Sequence, residues 1–247
     1  IKFPVYLSAG QEFIASTISE KISELKISPD IFIQHRGHST YLAFGGSIDQ
    51  LIDEMLGRKT GCALGMGGSA SIQCKEKNIF GHDGLMGNQV PIGVGACFAS
   101  KCPTIVFVGD SAAEEDYCLS AIGWASTKKL PILFVVEDNN LSILTEKKVR
   151  RNWEMDAVAQ SFNIAACQVS DDPIELREKL NNAFSKPMLL NVNTHRLFWH
   201  AGAGRDSEET FDRYKYEMES IGSQAEDIHF ETKNFVEETW QKQLEKQ

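Results

Sequence analysis

Four short runs of apolar residues recur along the chain, and none of them alternates with polar residues. They lie at 31–33 (IFI), 104–108 (TIVFV), 132–136 (ILFVV) and 188–192 (MLLNV). A strand with one wet face alternates between apolar and polar positions, whereas a strand buried on both faces shows a continuous apolar run. The pattern therefore predicts a parallel sheet that is covered on both sides.

Helical segments separate some of these runs. The stretch 112–128 has helical length, with acidic residues in its first turn and a lysine at its end, as the helix dipole favours. The stretch 172–186 begins with Asp and Pro, is amphipathic, and precedes the run at 188–192. Strand–helix–strand repeats connect parallel strands, so we predict an α/β fold with a parallel sheet flanked by helices. We expect a single domain over 1–247, in which 207–247 forms an acidic, helical tail.

Polar residues follow each predicted strand. Ser, Asp and Asn turn the chain at little cost, so one such end indicates only a turn. Ligands, however, gather at the carboxyl ends of parallel strands, where Asp110 and Asn139 offer oxygen ligands for Mg²⁺. Arg36 and the helix start at 112–114 offer donors for phosphate. Four such ends together favour a site for a metal and phosphates: His35-Arg36, Gly109-Asp110-Ser111, Asp138-Asn139-Asn140 and Thr194-His195-Arg196.

Composition narrows the classes of partner. A net charge of −9 argues against nucleic acid, whose backbone needs clustered Lys and Arg. The exception, EKKVRRNW at 146–153, is predicted to be a solvated loop with flanking acids. No apolar run is long enough to span a bilayer and the first residues lack a secretory pattern, so we expect no membrane segment and no export signal. The six cysteines form no CxxC pair, which predicts reduced thiols in a cytoplasmic protein.

Several ordered motifs resemble one enzyme family. Gly109-Asp110-Ser111 followed by Asn139 resembles the thiamine-diphosphate motif, in which Gly-Asp-Gly is followed by Asn-Asn. The blocks at 8–12 (SAGQE), 57–69 (GRKTGCALGMGGS), 84–95 (GLMGNQVPIGVG), 129–131 (KLP) and 194–202 (THRLFWHAG) stand in the family's order. From Tyr6 to Asp206 the chain resembles the alpha subunit of the thiamine-diphosphate-dependent decarboxylating component of 2-oxo acid dehydrogenases, the pyruvate, branched-chain and acetoin dehydrogenase family.

This resemblance implies a thiamine-diphosphate-binding fold and a site for the cofactor with Mg²⁺. The metal would be held by Asp110, Asn139 and the backbone carbonyl of Leu141. Met86, with Gly84 before it, would support the bent cofactor, and His200 would be the active-site loop histidine that touches the diphosphate or substrate. The diphosphate would lie against the remaining matched residues, which are His35, Arg36, Gly109, Ser111 and Ala112.

The resemblance also implies that the chain carries half of an active site. A beta subunit would supply a pyrimidine-binding domain and the Glu that activates the cofactor, in an alpha2beta2 assembly. A lipoyl-bearing acyltransferase would accept the acyl unit from a small 2-oxo acid. The reaction implied is decarboxylation of a 2-oxo acid, or cleavage of acetoin, followed by transfer of the acyl or aldehyde unit.

Two departures from the family bear on the reaction. Tyr6 stands where pyruvate-type members have a catalytic His, which leaves acyl transfer to a lipoyl group open and makes Tyr6 a candidate catalytic residue. Ser111 stands where Gly is usual, and its side chain could crowd the phosphates or donate to one of them.

Three other functions stay open. Tyr6 motivates a thiamine-dependent carboligase without a lipoyl acceptor, and Tyr6 with Ser111 motivates a non-catalytic assembly subunit that keeps the fold. A nicotinamide-binding protein is suggested by GVGACF at 93–98, but Phe98 replaces the last small residue and no strand precedes the first glycine.

Overall fold

The computed structural model describes residues 3–205, 207 and 209–246. The domain predicted over 1–247 and its tail over 207–247 thus include residues outside the described part, namely 1, 2, 206, 208 and 247, and the domain assignment stays a prediction. Asp206, at the end of the resembling segment, is one of them.

Six parallel strands form the central sheet in the spatial order β2-β1-β3-β4-β8-β7. Two further strands, β5 and β6, pair antiparallel in a hairpin beyond the end of β4. The strands are β1 Asp30–Phe32, β2 Ile79–Phe80, β3 Thr104–Gly109, β4 Ile132–Asp138, β5 Leu141–Ser142, β6 Thr145–Glu146, β7 Ala165–Ser170 and β8 Met188–Asn193.

Helices cover both faces of this sheet, and three short 3₁₀ turns lie at 75–77, 112–114 and 180–182. The helices are α1 Glu12–Glu24, α2 His38–Ala43, α3 Ile48–Met55, α4 Gln89–Ser100, α5 Asp116–Thr127, α6 Lys147–Arg150, α7 Met155–Ser161, α8 Pro173–Lys179, α9 Arg213–Ile221 and α10 Ser223–Glu245.

The core has two layers because successive side chains of each strand point to opposite faces. Ile105 and Phe107 of β3 pack on one side with residues of α1, α3 and α8. Val106 and Val108 pack on the other side with residues of α4, α5 and α7. All four are fully buried, so the predicted burial of the strands on both faces is confirmed.

The four predicted strands are present, with ends within two residues of the apolar runs. The sequence did not reveal β2 and β7, because β2 has only two residues and β7 is an edge strand with mixed exposure. The predicted helix at 112–128 is divided, with a 3₁₀ turn at 112–114 and α5 beginning at Asp116.

The predicted tail contains α9 and α10, and α10 packs back onto the domain. Arg58 donates to the carbonyl oxygens of Gln243 at 2.6 Å and Lys246 at 2.9 Å, which caps the last turn of α10. Trp240 packs against the core layer that contains α1 and α3. None of the helices in the described ranges is long and apolar enough to cross a membrane.

A buried carboxylate organises the loop between α3 and β2. Glu54 is 0% exposed and accepts hydrogen bonds from four backbone N–H groups, at 2.7 to 3.1 Å. Gly61 permits this approach, since a Cβ there would lie 2.5 Å from a carboxylate oxygen of Glu54. The glycine-rich block at 57–69 thereby becomes an ordered loop. The four donors belong to Ala63, Gly65, Gly67 and Gly68.

Candidate active site at the carboxyl ends of the strands

A cavity of about 290 Å³ opens at the carboxyl edge of the sheet, beyond β1, β3 and β4. Ten of the predicted site residues line it together. Arg196, which belongs to one of the four predicted strand ends, also lines it. Four further residues, which were not predicted, complete the lining: Gln34, Glu115, Ser142 and Ile143. The predicted residues at the cavity are His35, Arg36, Met86, Gly109, Asp110, Ser111, Ala112, Asn139, Leu141 and His200.

Asp110 follows β3 and is buried at the floor of this cavity, 2% exposed. Burial raises the pKa of its carboxyl to about 6, and the neighbouring Asp138 adds to that rise. Arg150 opposes both effects through an ion pair of 2.5 Å with Asp110 Oδ2. The charged form of the Asp110 carboxyl is therefore favoured only when a cation lies beside it.

Asn139 follows β4, where its side chain closes a turn. Its Oδ1 accepts from the backbone N–H of Leu141 at 3.1 Å, and its Nδ2 donates to Gln11 at 3.2 Å. Such a turn directs the chain into the β5/β6 hairpin and brings Leu141 to the cavity. Three oxygen-bearing groups, on Asp110, Asn139 and Leu141, thus share one cavity.

Asp138, just before Asn139, is held by several groups at once. Lys147 approaches its Oδ2 at 2.8 Å and Asn191 donates to the same oxygen at 3.0 Å. Burial acts to raise the pKa of Asp138, but these hydrogen bonds outweigh it and hold the pKa below its ordinary value. The end of β4 is therefore fixed by a charged partner, as is the end of β3.

The predicted solvated loop at 146–153 was wrong. Lys147, Arg150 and Arg151 turn inward, and the side chains of Arg150 and Arg151 are only 13% and 1% exposed. Glu114 pairs with Arg150 and lies 3.5 Å from Arg151, so this acid near the predicted diphosphate position is neutralised. The charge pattern of the segment could not reveal the partner Glu114, because this acid comes from a distant part of the chain.

Arg36, which follows β1, also lines the cavity and is 4% exposed. It donates to the carbonyl oxygens of Leu7 at 2.8 Å and His200 at 3.2 Å. These bonds connect the segment before α1 and the loop after β8 to the end of β1. The guanidinium consequently has a fixed position, as recognition of an anion requires.

Four rings cluster beside Arg36, with neighbouring centroids 5.0 to 5.9 Å apart. Burial lowers the pKa of His35 to about 3, and the charge of Arg36 adds to the effect. Burial likewise lowers the pKa of His82 and His200. The imidazoles are thus uncharged at neutral pH, and each can both donate and accept a hydrogen bond. The rings belong to Tyr6, His35, His82 and His200.

Two buried imidazole nitrogens in this cluster, His35 Nε2 and His82 Nδ1, find no hydrogen-bond partner among the residues that the structure describes. Sequence reasoning did not assign His82, since a histidine beside a glycine is equally typical of an exposed turn. In the structure His82 is 4% exposed. Its burial beside His35 is the signal that the sequence lacked.

The segment that carries Met86 forms another wall of the cavity. Met86 is 40% exposed and its carbonyl oxygen accepts a hydrogen bond from Tyr117. Gly84 does not line the cavity, and its φ of +103° shapes the turn before Met86. Tyr6 also lies outside the lining residues but packs edge-on against His35 and His200.

A buried carboxyl, Glu137, lies beneath the cavity and accepts a hydrogen bond from Gln34. Burial raises its pKa to about 7. Because this folded-state pKa lies above the ordinary value of 4.5, the native protein holds the proton more tightly than the unfolded chain does. This contribution to stability is full at low pH and is lost as the pH rises through 7.

We therefore expect Glu137→Gln to flatten the pH dependence of stability. Between pH 5 and 7.5 the wild-type free energy of unfolding should fall by roughly 1–3 kcal/mol more than that of the variant, because Gln does not titrate. Urea unfolding at several pH values measures the difference, with exposed Glu231→Gln as the matched control. The same slope in wild type and Glu137→Gln would contradict the assignment.

The residues present fit a magnesium ion and a diphosphate. One carboxylate, one amide oxygen and one backbone carbonyl are hard oxygen donors, and Arg36 supplies a fixed positive charge in the same cavity. Among the described residues, no three His, Cys, Asp or Glu side chains gather as a metal site, here or elsewhere, so the fit rests on one carboxylate with two neutral oxygen donors. The fold and cavity define a class: parallel α/β domains with metal- and phosphate-binding groups at the carboxyl ends of central strands.

Comparison with known proteins agrees with this class. The family model described as "Dehydrogenase E1 component" matches residues 2–247. The chain is 30% identical to "Pyruvate dehydrogenase E1 component subunit alpha" of Rickettsia prowazekii (strain Madrid E), over 85% of this chain and 68% of the relative. It is 35% identical to "Pyruvate dehydrogenase E1 component subunit alpha-1, mitochondrial" of Oryza sativa subsp. japonica, over 57% of this chain and 36% of the relative.

The crystal structure of transketolase from Campylobacter jejuni subsp. jejuni superposes with a TM-score of 0.56 at 14% identity, covering 74% of this chain and 36% of that chain. This likeness concerns the fold alone. The chain belongs to the dehydrogenase E1 component family and shares its parallel α/β fold with this transketolase, so the predicted family and fold are confirmed. The chain spans 68% of the length of the Rickettsia prowazekii relative and 36% of the length of the Oryza sativa relative.

Proposed function

We propose that this chain is the alpha subunit of a thiamine diphosphate- and Mg²⁺-dependent enzyme that decarboxylates a 2-oxo acid or cleaves acetoin. One observation carries the proposal: Arg36 and the oxygen donors of Asp110, Asn139 and Leu141 meet in one cavity at the carboxyl ends of the strands. The relatives named above are alpha subunits of pyruvate dehydrogenase, which supports the same class of substrate.

Each group at the cavity has a role in this proposal. Asp110, Asn139 and the Leu141 carbonyl hold Mg²⁺, while Arg36 and the backbone N–H groups of Ser111 and Ala112 bind the diphosphate. When bound, the cofactor would supply a nucleophilic carbon and an electron sink for decarboxylation of the 2-oxo acid. Gly109 ends β3 at the cavity.

In this proposal, the ring cluster lies next to the bound substrate. Uncharged His35 and His200 donate or accept hydrogen bonds without adding charge, and Met86 supports the cofactor from the opposite wall. Tyr6, edge-on to both imidazoles, excludes water from them. The low pKa of His35 keeps it from competing with Arg36 for a bound anion.

The finer assignments complete the proposal. A beta subunit in an alpha2beta2 assembly supplies the pyrimidine-binding domain and the activating Glu, and a lipoyl-bearing acyltransferase receives the acyl unit. All six cysteines are free thiols, which supports a cytoplasmic location. The domain spans 1–247, and α9 and α10 belong to it.

Native mass spectrometry of the complex isolated from its own cells tests this function. We expect a heterotetramer that retains thiamine diphosphate and Mg²⁺ and that releases carbon dioxide from a 2-oxo acid. A complex with a partner but no cofactor and no turnover would instead indicate a non-catalytic assembly subunit.

A second candidate function is carboligation, in which the aldehyde unit joins another carbonyl compound and no lipoyl acceptor takes part. Tyr6 favours it, because it occupies the place of the family's catalytic His. Product analysis with and without a lipoyl domain separates the two. Acyl-lipoyl product supports the dehydrogenase, whereas a new carbon–carbon bond in both reactions supports the ligase.

We expect Ser111→Gly to leave cofactor affinity nearly unchanged. The backbone of Ser111 has φ −73° and ψ −40°, which any residue adopts, so the position does not require the family's glycine. The Ser111 hydroxyl donates to the Ser142 hydroxyl at 2.9 Å and is thereby directed to the hairpin. Calorimetric titration of thiamine diphosphate should give a Kd within about threefold of wild type, the effect of losing one weak hydrogen bond. A tenfold change would show that the side chain acts on the phosphates.

A further inference from the structure

The basic segment after the β5/β6 hairpin contacts the ends of two central strands. Its helix, α6, carries Lys147 and Arg150 on one side, and their side chains are 16% and 13% exposed. Lys148, on the same helix, is 77% exposed and pairs with Glu146. Two of the basic side chains are therefore placed inside the protein while their neighbour remains in water.

Arg150 bridges two acids from the segment that follows β3. Its Nη2 lies 2.5 Å from Asp110 Oδ2, and its Nη1 donates to Glu114. Lys147, one turn earlier, approaches Asp138 and Glu154 at 2.8 Å each. Helix α6 is thereby bonded to the end of β3 through Arg150 and to the end of β4 through Lys147. We call Lys147 and Arg150 the charged clasp.

The clasp joins the segments that bear the proposed metal ligands. Asp110 lies after β3, whereas Asn139 lies after β4 and Leu141 begins β5 of the hairpin that leads into α6. Within the described residues, Asp110 Oδ1 accepts no hydrogen bond, while Oδ2 is occupied by Arg150. The guanidinium thus holds Oδ2 in place and leaves the other oxygen of Asp110 for a ligand.

The ion pairs of the charged clasp are not expected to contribute much to the stability of the fold. A buried ion pair loses much of its Coulomb attraction to the cost of removing both charges from water, and apolar replacements are often neutral. Its geometry, however, restricts where a carboxylate oxygen can lie. Hydrogen-bonded partners of metal-binding carboxylates act in this way, and their loss typically weakens metal binding by about 10–100-fold.

We propose that Arg150 is a positioning residue for the Mg²⁺ site: it holds Asp110 through Oδ2 and links the Asp110 segment to the hairpin that carries Leu141. This inference rests on the proposed function, since that function supplies the metal. The demand of Mg²⁺ for near-ideal octahedral geometry gives the direction of the effect, because loosened ligands bind it poorly.

The test measures metal binding rather than turnover. Full-length chain, purified with the partner that accompanies it, is titrated with Mn²⁺ in the presence of thiamine diphosphate while electron paramagnetic resonance follows free Mn²⁺. We expect Arg150→Gln to raise the Kd for Mn²⁺ by about 10–100-fold. Arg150→Lys should restore part of the affinity, because its ammonium reaches one acid but cannot bridge two. Lys148→Gln, the matched control on the same helix, should remain within about twofold.

One result would contradict the inference about Arg150, and a different result would contradict the proposed function. If Arg150→Gln binds Mn²⁺ as tightly as wild type, or more tightly, the guanidinium is irrelevant to the metal or competes with it, and the inference is overturned. If the wild-type complex itself binds no Mn²⁺ with thiamine diphosphate, the proposed function fails. Should Arg150→Gln not fold, Arg150→Lys decides, and wild-type affinity in that variant would refute the bridging role.

Discussion

Asp110→Asn is expected to weaken Mg²⁺ binding by about 100-fold or more and to abolish retention of thiamine diphosphate. Asp110 is the one negatively charged group among the three proposed ligands, and Asn cannot replace its charge at the metal. Burial raises the pKa of Asp110 to about 6, so the charged form is already costly and a neutral residue of the same size should keep the fold. Equilibrium dialysis of the assembled complex, followed by metal and thiamine analysis, measures the loss.

The control for this prediction is Asp116→Asn. Asp116 is exposed at the first turn of α5, six residues further along the chain, and accepts a hydrogen bond from the backbone N–H of Tyr117. Its variant should retain metal and cofactor at the wild-type ratio. If Asp110→Asn also retains them, Asp110 is not a metal ligand and the oxygen donors at this edge of the sheet form only turns.

The second large effect concerns stability. Glu54→Ala is expected to lower the free energy of unfolding by about 3–5 kcal/mol, because one buried and three partly buried N–H groups lose their acceptor and a cavity is left. Urea unfolding measures this difference. Glu231→Ala, the same change at an exposed position of α10, should cost less than about 0.5 kcal/mol.

The Glu54→Ala substitution should also affect the candidate active site, because the loop that Glu54 stabilises ends at Ser69. The Ser69 hydroxyl accepts from the backbone N–H of Tyr6 at 2.8 Å and lies 2.9 Å from His38 Nε2. Hydrogen exchange should therefore increase at 61–69 and near Tyr6 in Glu54→Ala. Unchanged exchange and stability would show that the glycine-rich loop does not depend on this carboxylate.

The central strands could be predicted because burial on both faces leaves a continuous apolar run that needs no knowledge of partners. Phe107 and Val108 point to opposite layers, yet both are apolar for the same local reason. The edge strand β7 escaped prediction because its half-exposed positions carry no such run. The short hairpin β5/β6 escaped as well, because two-residue strands have no period to detect.

Some residues of the candidate site could be predicted from the sequence, and others could not. Asp110 and Asn139 could be chosen because carboxyl ends of neighbouring parallel strands meet at one edge. Arg150 and Glu54 could not, because their partners lie 40 residues away in one case and 9 to 14 residues away in the other. His82 carried no local signal, since only burial beside His35 distinguishes it from an exposed turn residue.

The sequence by itself determined the α/β class, the parallel sheet and the edge at which functional groups collect. These follow from periodicity and from the residues that end each strand, which are properties of neighbours along the chain. Only the tertiary structure decided the partner of each charge: that Arg150 meets Asp110, that Lys147 meets Asp138, and that these two basic side chains turn inward. The physical reason is that an ion pair depends on the distance between two side chains and on their exclusion from water, and the packing of distant segments sets both.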